Sequence, residues 1–346
     1  MQNYVVLLNW NGWKDTIECL ESVFRLQHPS FGVVICDNAS ENGSLEKIKA
    51  WADGTFGAMA GNSKLAHLTS PPVTKPIRYQ ELTRERAESG ICRHDLPLTL
   101  IQNEANLGFA AGTNVGLRYA LRDLNCKFFW MLNNDTVVEP AALSALENHM
   151  LKVPKCGLCG SLNISYYNPR EVQSLGGKQY NRWTSRARKS RPRTIGDVNT
   201  QAEHMDFLSG ASMLASRGFL ETVGLMEESY FLYFEEIDWA MRAKGKFELG
   251  FASQSVIYHK EGATIGSHSD RMRRSLLSDE YLSRNRVLFT KRFYRWALPS
   301  VLVSVVLTAI HRLCHGDAIR AKAILTFTFR GLAENIPRTA DYKASE

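Results

Sequence analysis

The sequence is short of several things, and each shortage narrows the reading. No segment repeats at any period, so a non-repetitive globular fold is expected. The seven cysteines, at positions 19, 36, 92, 126, 156, 159 and 314, are odd in number and irregular in spacing. They read as reduced thiols of a cytosolic protein rather than as a disulfide framework. Cys156 and Cys159 form one CxxC, but zinc sites need a second pair or histidines at matching spacing, so both read as small apolar residues. The amino-terminal residues have no basic stretch and no small-residue cleavage site, since Met1 leads within three residues into YVVLLNW; a cytosolic start is expected. The GxGxxG fingerprint and the P-loop Lys-Ser/Thr are also missing, which disfavours a dehydrogenase or a P-loop enzyme. No nucleic-acid-binding motif accompanies the positive charge, so nucleic acid is not expected as a partner.

What is present begins with 346 residues at 44% hydrophobic content, enough for one large or two modest domains. Residues 269–346 hold 14 Lys/Arg against 7 Asp/Glu, a balance of +7 that equals the whole-chain charge. The basic character therefore belongs to the C-terminal quarter. That quarter also contains WALPSVLVSVVLTAI (296–310), fifteen residues without a charge, short of the about 20 a membrane span needs. Flanked by RNRVLFTKRFYR and RAKAILTFTFR, it suits helices lying on an anionic bilayer surface. An ordinary helical subdomain packed on the core is the alternative.

Along the chain, YVVLLNW (4–10) reads as a strand, and Ile17, Leu20, Val23 and Phe24 recur at helical spacing after it. FGVVICDNAS (31–40) is a second buried strand, and 41–52 opens a helix. A β-α-β-α start predicts an α/β fold with a mostly parallel sheet flanked by helices. Residues 53–97 read as an inserted excursion. LTLIQNEANLGFAAGTNVGLRYALRD (98–123) supplies a strand, a glycine-bearing loop and a helix, and 139–152 is a helix with Pro140 near its first turn. The run RWTSRARKSRPR (182–193) reads as a solvated loop. Residues 206–224 read as a strand entering a helix, 230–251 place three carboxylates at a helix start, and 251–269 give a strand followed by a polar loop.

Three strand ends present polar groups: Asn9 and Asn11, then Asp37 and Asn38, then Asn133, Asn134 and Asp135, where FFWMLNND stops being apolar. In a parallel sheet with helical crossovers the C-terminal strand ends face one way, so these groups should converge on a ligand. Gly108, Gly112 and Gly116 either bring backbone close to that ligand or pack a helix. An Asp at a strand end can hold Mg²⁺ or Mn²⁺ against phosphates, and His259 could add a ligand. Glu235, Glu236 and Asp238 crowd together among apolar residues, which raises carboxylate pKa values and suits general-base work; a helix start enriched in acids would look the same.

With these motifs in order, the chain resembles the inverting family-2 glycosyltransferases of GT-A fold, in particular their rhamnosyltransferase-like branch. The resemblance runs over roughly residues 3–290 apart from the excursion. It rests on VVLLNWNG, VVICDNAS, ANLGFAAGTNVGLRYAL, FFWMLNNDTVVEP, FLSGASMLASRGFLETVGLMEESYFLYFEEIDWAMRAKG and YHKEGAT. It implies a GT-A (Rossmann-like) domain over 1–268 with an insertion at 53–97; charge and apolar runs make 269–346 a basic, apolar helical membrane-associating segment. It implies that Asp37 recognises the nucleotide base, with Asn9, Asn11 and Asn38 lining the same pocket. The segment from Asn106 through Gly108 and Phe109 to Asn114 is similar to the loop bordering donor sugar and ribose. NND stands where the family has Asp-x-Asp, so Asp135 would hold a divalent metal, Mg²⁺ or Mn²⁺, with His259, while Asn133 and Asn134 reach ribose or phosphate. EEID corresponds to the family's Glu-Asp motif, making Glu236 the base, with Asp238 as rival and Glu235 beside it.

The implied reaction moves a sugar, rhamnose from dTDP-rhamnose first, with inversion onto a saccharide or lipid-linked acceptor in surface-polysaccharide synthesis. The implied location is cytoplasmic, peripheral on the inner face of the cell membrane. The alternatives are a UDP-hexose or UDP-galactofuranose donor, or a non-catalytic nucleotide-sugar-binding protein, since Asn133 replaces an acid.

Overall fold

The computed structural model describes residues 1–57, 61–89, 93–188, 193–194, 204–261 and 275–336. The last residues of YHKEGAT and part of the basic run 182–193 lie outside them.

Five strands form a parallel half-sheet: β1 (Asn3–Asn9), β2 (Phe31–Asp37), β3 (Tyr79–Thr83), β4 (Leu98–Gln102) and β5 (Phe128–Asn133). Their order is β3-β4-β2-β1-β5. The strands are apolar on both faces because helices cover both. Val5, Leu7, Val33 and Ile35 pack with Ile17, Leu20, Ile48 and Trp51 of α1 (Trp13–Val23) and α2 (Ser44–Asp53). Tyr4, Val6, Val34 and Cys36 face Val115, Leu117 and Tyr119 on the other side. The excursion holds a short helix, α3 (Ala66–Thr69), the edge strand β3 and α4 (Arg84–Ser89). Its YQELT is only partly buried, as befits an edge strand, so no apolar run marks it.

The helix α5 (Gly108–Leu121) lies close on the sheet because Gly116 leaves room: a Cβ there would come within 2.6 Å of Val6 and 2.9 Å of the Cys36 sulfur. Gly112 and Gly116 are thus packing positions.

After β5 the chain turns at Asn134–Asp135 into β6 (Thr136–Val138), and α6 (Ala142–Lys152) follows. From here the sheet is mixed. The long strand β7 (Cys156–Ser165) is bordered by β8 (Glu171–Leu175), and beyond β8 lies the two-residue β9 (Gly177–Lys178). A ribbon of β10 (Tyr180–Asn181) and β11 (Arg186–Ala187) crosses the stretch read as a solvated loop. Short β12 (Arg193–Thr194) and β13 (Phe207–Leu208) add to the edge. The next strand, β14 (Ser212–Ser216), runs antiparallel to both β5 and β7 and leads into α7 (Arg217–Val223). Then come α8 (Glu235–Ala243) and β15 (Glu248–His259), which is parallel to β7 and antiparallel to β6. The carboxylate-bearing helix begins at Glu235, and Gly245 at φ +84° turns the chain out of it.

Three helices close the described part of the chain: α9 (Leu276–Phe293), α10 (Leu298–Cys314) and α11 (Ala318–Ala333). The body holds α9 through Leu288 and Phe289, which pack on Tyr230 and Ile237. The uncharged run lies inside the helical stretch Arg295–Cys314, whose 20 residues are long and apolar enough to cross a membrane by length and composition. Length alone therefore does not exclude a crossing, contrary to the sequence expectation. One side of it is tied to the body: Arg286 bonds Ser304, Arg186 bonds Thr308, and Arg312 pairs with Asp279 at 2.8 Å. The other side is bare, with Val303, Val306, Leu307, Ile310 and Leu313 exposed at helical spacing.

Candidate active site

Parallel pairing sets the first layer of the site. Asn9 sits opposite Asp37 and Leu8 opposite Asn133, so three polar strand ends share one edge. Asn9 and Asp37 are nearly sealed from solvent. The Asn9 amide donates to Asp37 at 2.6 Å, and Asp37 also accepts from the Ser40 hydroxyl at 2.7 Å and backbone N–H at 2.8 Å. Asn9 in turn accepts from Thr16, to which Asn134 also donates at 2.8 Å. This knot ties the β1 and β2 ends together, and Asn9 and Asp37 are not among the residues that line the neighbouring cavity. The Asn11 side chain accepts from the Glu41 backbone N–H, and the Asn11 carbonyl accepts from the Asn42 side-chain amide.

Above the knot lies a cavity lined by Leu8, Trp10, Asn38, Asn106, Gly108, Phe109, Asn133, Asn134, Asp135, Phe231, Leu232, His259 and Leu277. Eight of the fifteen site residues expected from sequence meet here: seven come from three separate segments, and His259 joins them because Thr136 of β6 pairs with it at the end of β15. Its ring Nε2 stands 3.2 Å from Asp135 Oδ1 and 3.5 Å from the Asn133 amide. Asp135 Oδ1 is buried and makes no aligned hydrogen bond. Burial would raise the Asp135 carboxyl, but His259 and Lys260 outweigh it and hold the group below the usual carboxylate range. A buried anionic oxygen with an unused lone pair beside an imidazole is a donor set that fits a divalent cation. Lys260, anchored to Asp15 and Glu18, ties the far side of this turn to α1.

One wall is a clasp between two loops. Asn38 donates to Gly108 O and Asn106, and the Asn106 side chain accepts from Gly108 N–H. Gly108 has φ +79°, and a Cβ on it would come within 2.3 Å of Phe231 O. Phe109 N–H donates to that same carbonyl at 2.6 Å. The Phe231 loop is held in unusual backbone geometry, with Phe231, Tyr233 and Phe234 at φ +63°, +67° and +78°. Such conformations cost of order 1–3 kcal/mol each and persist only where surroundings enforce them. The enforcing group is Asn285 of α9, whose amide reaches the carbonyls of Tyr230, Leu232 and Tyr233 at 2.9, 2.7 and 3.0 Å. Sequence reasoning missed Asn285, Trp10 and Phe231. An aromatic run interrupted by no glycine gave no sign of left-handed backbone. Asn114, expected beside the donor, instead faces away and bonds Met226 and Glu228.

The three acids at the start of α8 separate by environment. Asp238 is fully buried and saturated: Arg242 at 2.7 Å, Arg292 at 3.0 Å and the Tyr230 hydroxyl at 3.0 Å. Glu236 lies against Gly210, where a Cβ would come within 2.3 Å of its Oε1, and burial raises its pKa. Glu235 is buried with Oε2 unpartnered, and burial, then Glu236, push its pKa well above the usual range. Helix-start amides favour anions, yet desolvation dominates at Glu235 and Glu236.

Comparison with known proteins agrees with this architecture. Residues 79–224 match the family model Glycosyl transferase family 2. That match includes Asn106–Asn114 and Asn133–Asp135 and ends before Glu235 and His259. A curated relative, the low-salt glycan biosynthesis hexosyltransferase Agl10 of Haloferax volcanii, is 27% identical over 157 residues, spanning 44% of this chain and 48% of that one. The chain thus matches about half the length of that relative. Among solved structures, mannosyltransferase PcManGT from Pyrobaculum calidifontis, in complex with GDP-Man and Mn²⁺, superposes over 96% of this chain and 87% of its own, with TM-score 0.51 and 13% identity. GalNAc-T7 with UDP, GalNAc and Mn²⁺ superposes over 75% and 44%, with TM-score 0.50 and 14% identity. The fold is the GT-A fold, a mostly parallel mixed sheet flanked by helices with helices at the C-terminus.

Proposed function

We propose that the chain is an inverting family-2 glycosyltransferase that takes its sugar from a nucleotide-sugar donor. The observation that supports this most is the meeting of Asn133, Asn134, Asp135 and His259 with the Gly108–Phe231 clasp in one cavity at the C-terminal strand edge. Asp135 and His259 would hold a divalent cation, Mg²⁺ or Mn²⁺, which offsets charge on the departing nucleoside diphosphate. Asn38, Asn106 and the Gly108 backbone border the donor, while the knot around Asp37 and Asn9 keeps the strand ends rigid. Glu236 accepts the proton of the acceptor hydroxyl, whose oxygen attacks the anomeric carbon from the face opposite the leaving group. A carboxylate raised by burial is a stronger base than one in water. Asp238 is assigned to holding Arg242 and Arg292, which leaves Glu236 as the base.

The donor we favour is dTDP-rhamnose, and the acceptor is a saccharide or lipid-linked saccharide of a surface polysaccharide. In support of a membrane-bound acceptor, the basic C-terminal quarter carries the bare face Val303, Val306, Leu307, Ile310 and Leu313, suited to rest on an anionic inner membrane surface. Residues 1–268 would then be the catalytic unit and α10 with α11 the membrane-facing one.

Nucleoside-diphosphate release from a panel of dTDP-, UDP- and GDP-sugars, with and without Mn²⁺, tests the reading. Release from dTDP-rhamnose above the others is expected. Release only from a UDP-sugar would replace the donor, and tight nucleotide binding with no turnover of any donor would sink the enzyme reading.

A further inference from the structure

At the opposite end of the sheet, about ten residues down β15 from His259 and so roughly 30 Å from it, three side chains meet that the reaction does not use. His149 of α6 and Cys156 and Cys159 of β7 bring one imidazole nitrogen and two sulfurs within 4.8 Å of one another. Residues three apart on a regular strand point to opposite faces, so this meeting needs a cause. The cause is a bulge: Glu248 of β15 pairs with Cys156 and Leu249 with Leu158, leaving Gly157 without a partner. The extra residue brings Cys156 and Cys159 into the same buried cluster. Gly157 is fitted to that place, since a Cβ there would come within 2.5 Å of Phe219. Space for the trio is kept by Gly250 on β15, where a Cβ would fall 2.6 Å from the Cys156 sulfur and 2.8 Å from the His149 Nε2. The His149 ring has no hydrogen-bond partner among the described residues, while the two thiols meet each other, the backbone of Gly250 and Ala252, and backbone carbonyls at 3.4 and 3.9 Å.

We propose that His149, Cys156 and Cys159 form a binding site for a soft divalent cation, Zn²⁺ first, that clamps α6 to β7. Two thiolates and an imidazole are the donor set zinc prefers over Mg²⁺ or Mn²⁺. Binding replaces the two thiol protons, which go to solvent, so Zn²⁺ with two thiolates and a neutral imidazole leaves no net charge in a mostly buried place. Ligand distances of about 2.0–2.3 Å require the three donors to close slightly, and solvent on the half-buried His149 side supplies the fourth ligand. The sequence concealed the site because its third ligand lies on the preceding helix, outside any zinc-finger spacing.

The full chain, produced in zinc-supplemented cells and purified under reducing conditions, should hold close to one Zn²⁺ by inductively coupled plasma mass spectrometry. After chelation, added Co²⁺ should give thiolate-to-cobalt charge-transfer absorption and the visible bands of tetrahedral cobalt. Cys156→Ser with Cys159→Ser should abolish both signals. His149→Gln, at a half-buried helix position where folding is expected to survive, should weaken cobalt binding by more than about tenfold. Asp135→Asn should leave the zinc content unchanged. A chain without zinc and without the cobalt bands, a signal indifferent to the cysteine changes, or a Cys156–Cys159 disulfide in the freshly purified protein would each overturn the proposal.

Discussion

The two halves of the sheet bring residues to one cavity by different means. In the parallel half, β1, β2 and β5 bring Leu8, Asn38 and Asn133 there through register alone: each strand ends at the same edge, and nothing distant is needed. In the half after Asn133, position depends on partners far away in sequence. His259 arrives by pairing with β6 and the Phe231 loop by the clasp with Gly108 and the amide of Asn285, while Glu236, packed against Gly210, is not among the lining residues. The first half is specified locally; the second is assembled.

That contrast can be broken most severely at the chemistry. Asp135→Ala should lower nucleoside-diphosphate release by roughly 10²–10³-fold, the size of several kcal/mol of lost charge stabilisation, with near-ultraviolet circular dichroism unchanged. Glu236→Gln should lower kcat by about 10²–10⁴-fold while donor KM stays near that of the parent. Because burial raises Glu236 and the ionised form is the base, kcat should climb as pH passes above the ordinary carboxylate range and then level; a profile flat from acid pH would assign the proton elsewhere.

Asp238→Asn sharpens the distinction between neighbouring acids. It leaves Arg242 and Arg292 buried against a neutral side chain, so urea unfolding should show a loss of about 3 kcal/mol; an equal loss of kcat in the folded enzyme would instead make Asp238 a catalytic group. Asn285→Leu should cost about 2 kcal/mol by stripping partners from backbone carbonyls, and should raise donor KM as the Phe231 loop loosens. Glu235 carries the pH signature of assembly: its pKa is raised in the folded chain by burial and then by Glu236. Its contribution to stability is therefore full below the unfolded carboxylate pKa and is lost as pH rises through the folded one. Glu235→Gln should flatten that slope in a pH series of unfolding midpoints. The smallest effect on stability, within about 0.5 kcal/mol, is expected for Leu307→Glu on the bare face of α10, yet it should weaken sedimentation with anionic vesicles.

How much of this could be read in advance follows the same division. Buried apolar runs announced β1, β2 and β5, and the polar residues that stopped them announced the site edge. The edge strand β3 escaped because YQELT, half-exposed, carries no apolar run. The EEID cluster was visible but its division of labour was not, since Arg292 lies 54 residues beyond Asp238 and only packing brings them together. Asn114 sat inside a glycine-rich motif and was counted with it, although on a helix the residue six positions after Gly108 no longer shares its face. The positive φ angles at Phe231, Tyr233 and Phe234 had no sequence sign, because the usual marker of such backbone is glycine.

The clasp between Gly108 and the Phe231 carbonyl also bears on how such chains can be recombined. A glycine with no room for a Cβ and a carbonyl placed by a distant asparagine form a matched lock, so neither loop can be transplanted from a relative on its own. A chimaera exchanging donor-side loops would have to carry 106–109, 230–234 and the α9 residue at 285 as one cassette, and breakpoints that split the set should yield chains that fold yet hold their sugar nucleotide loosely.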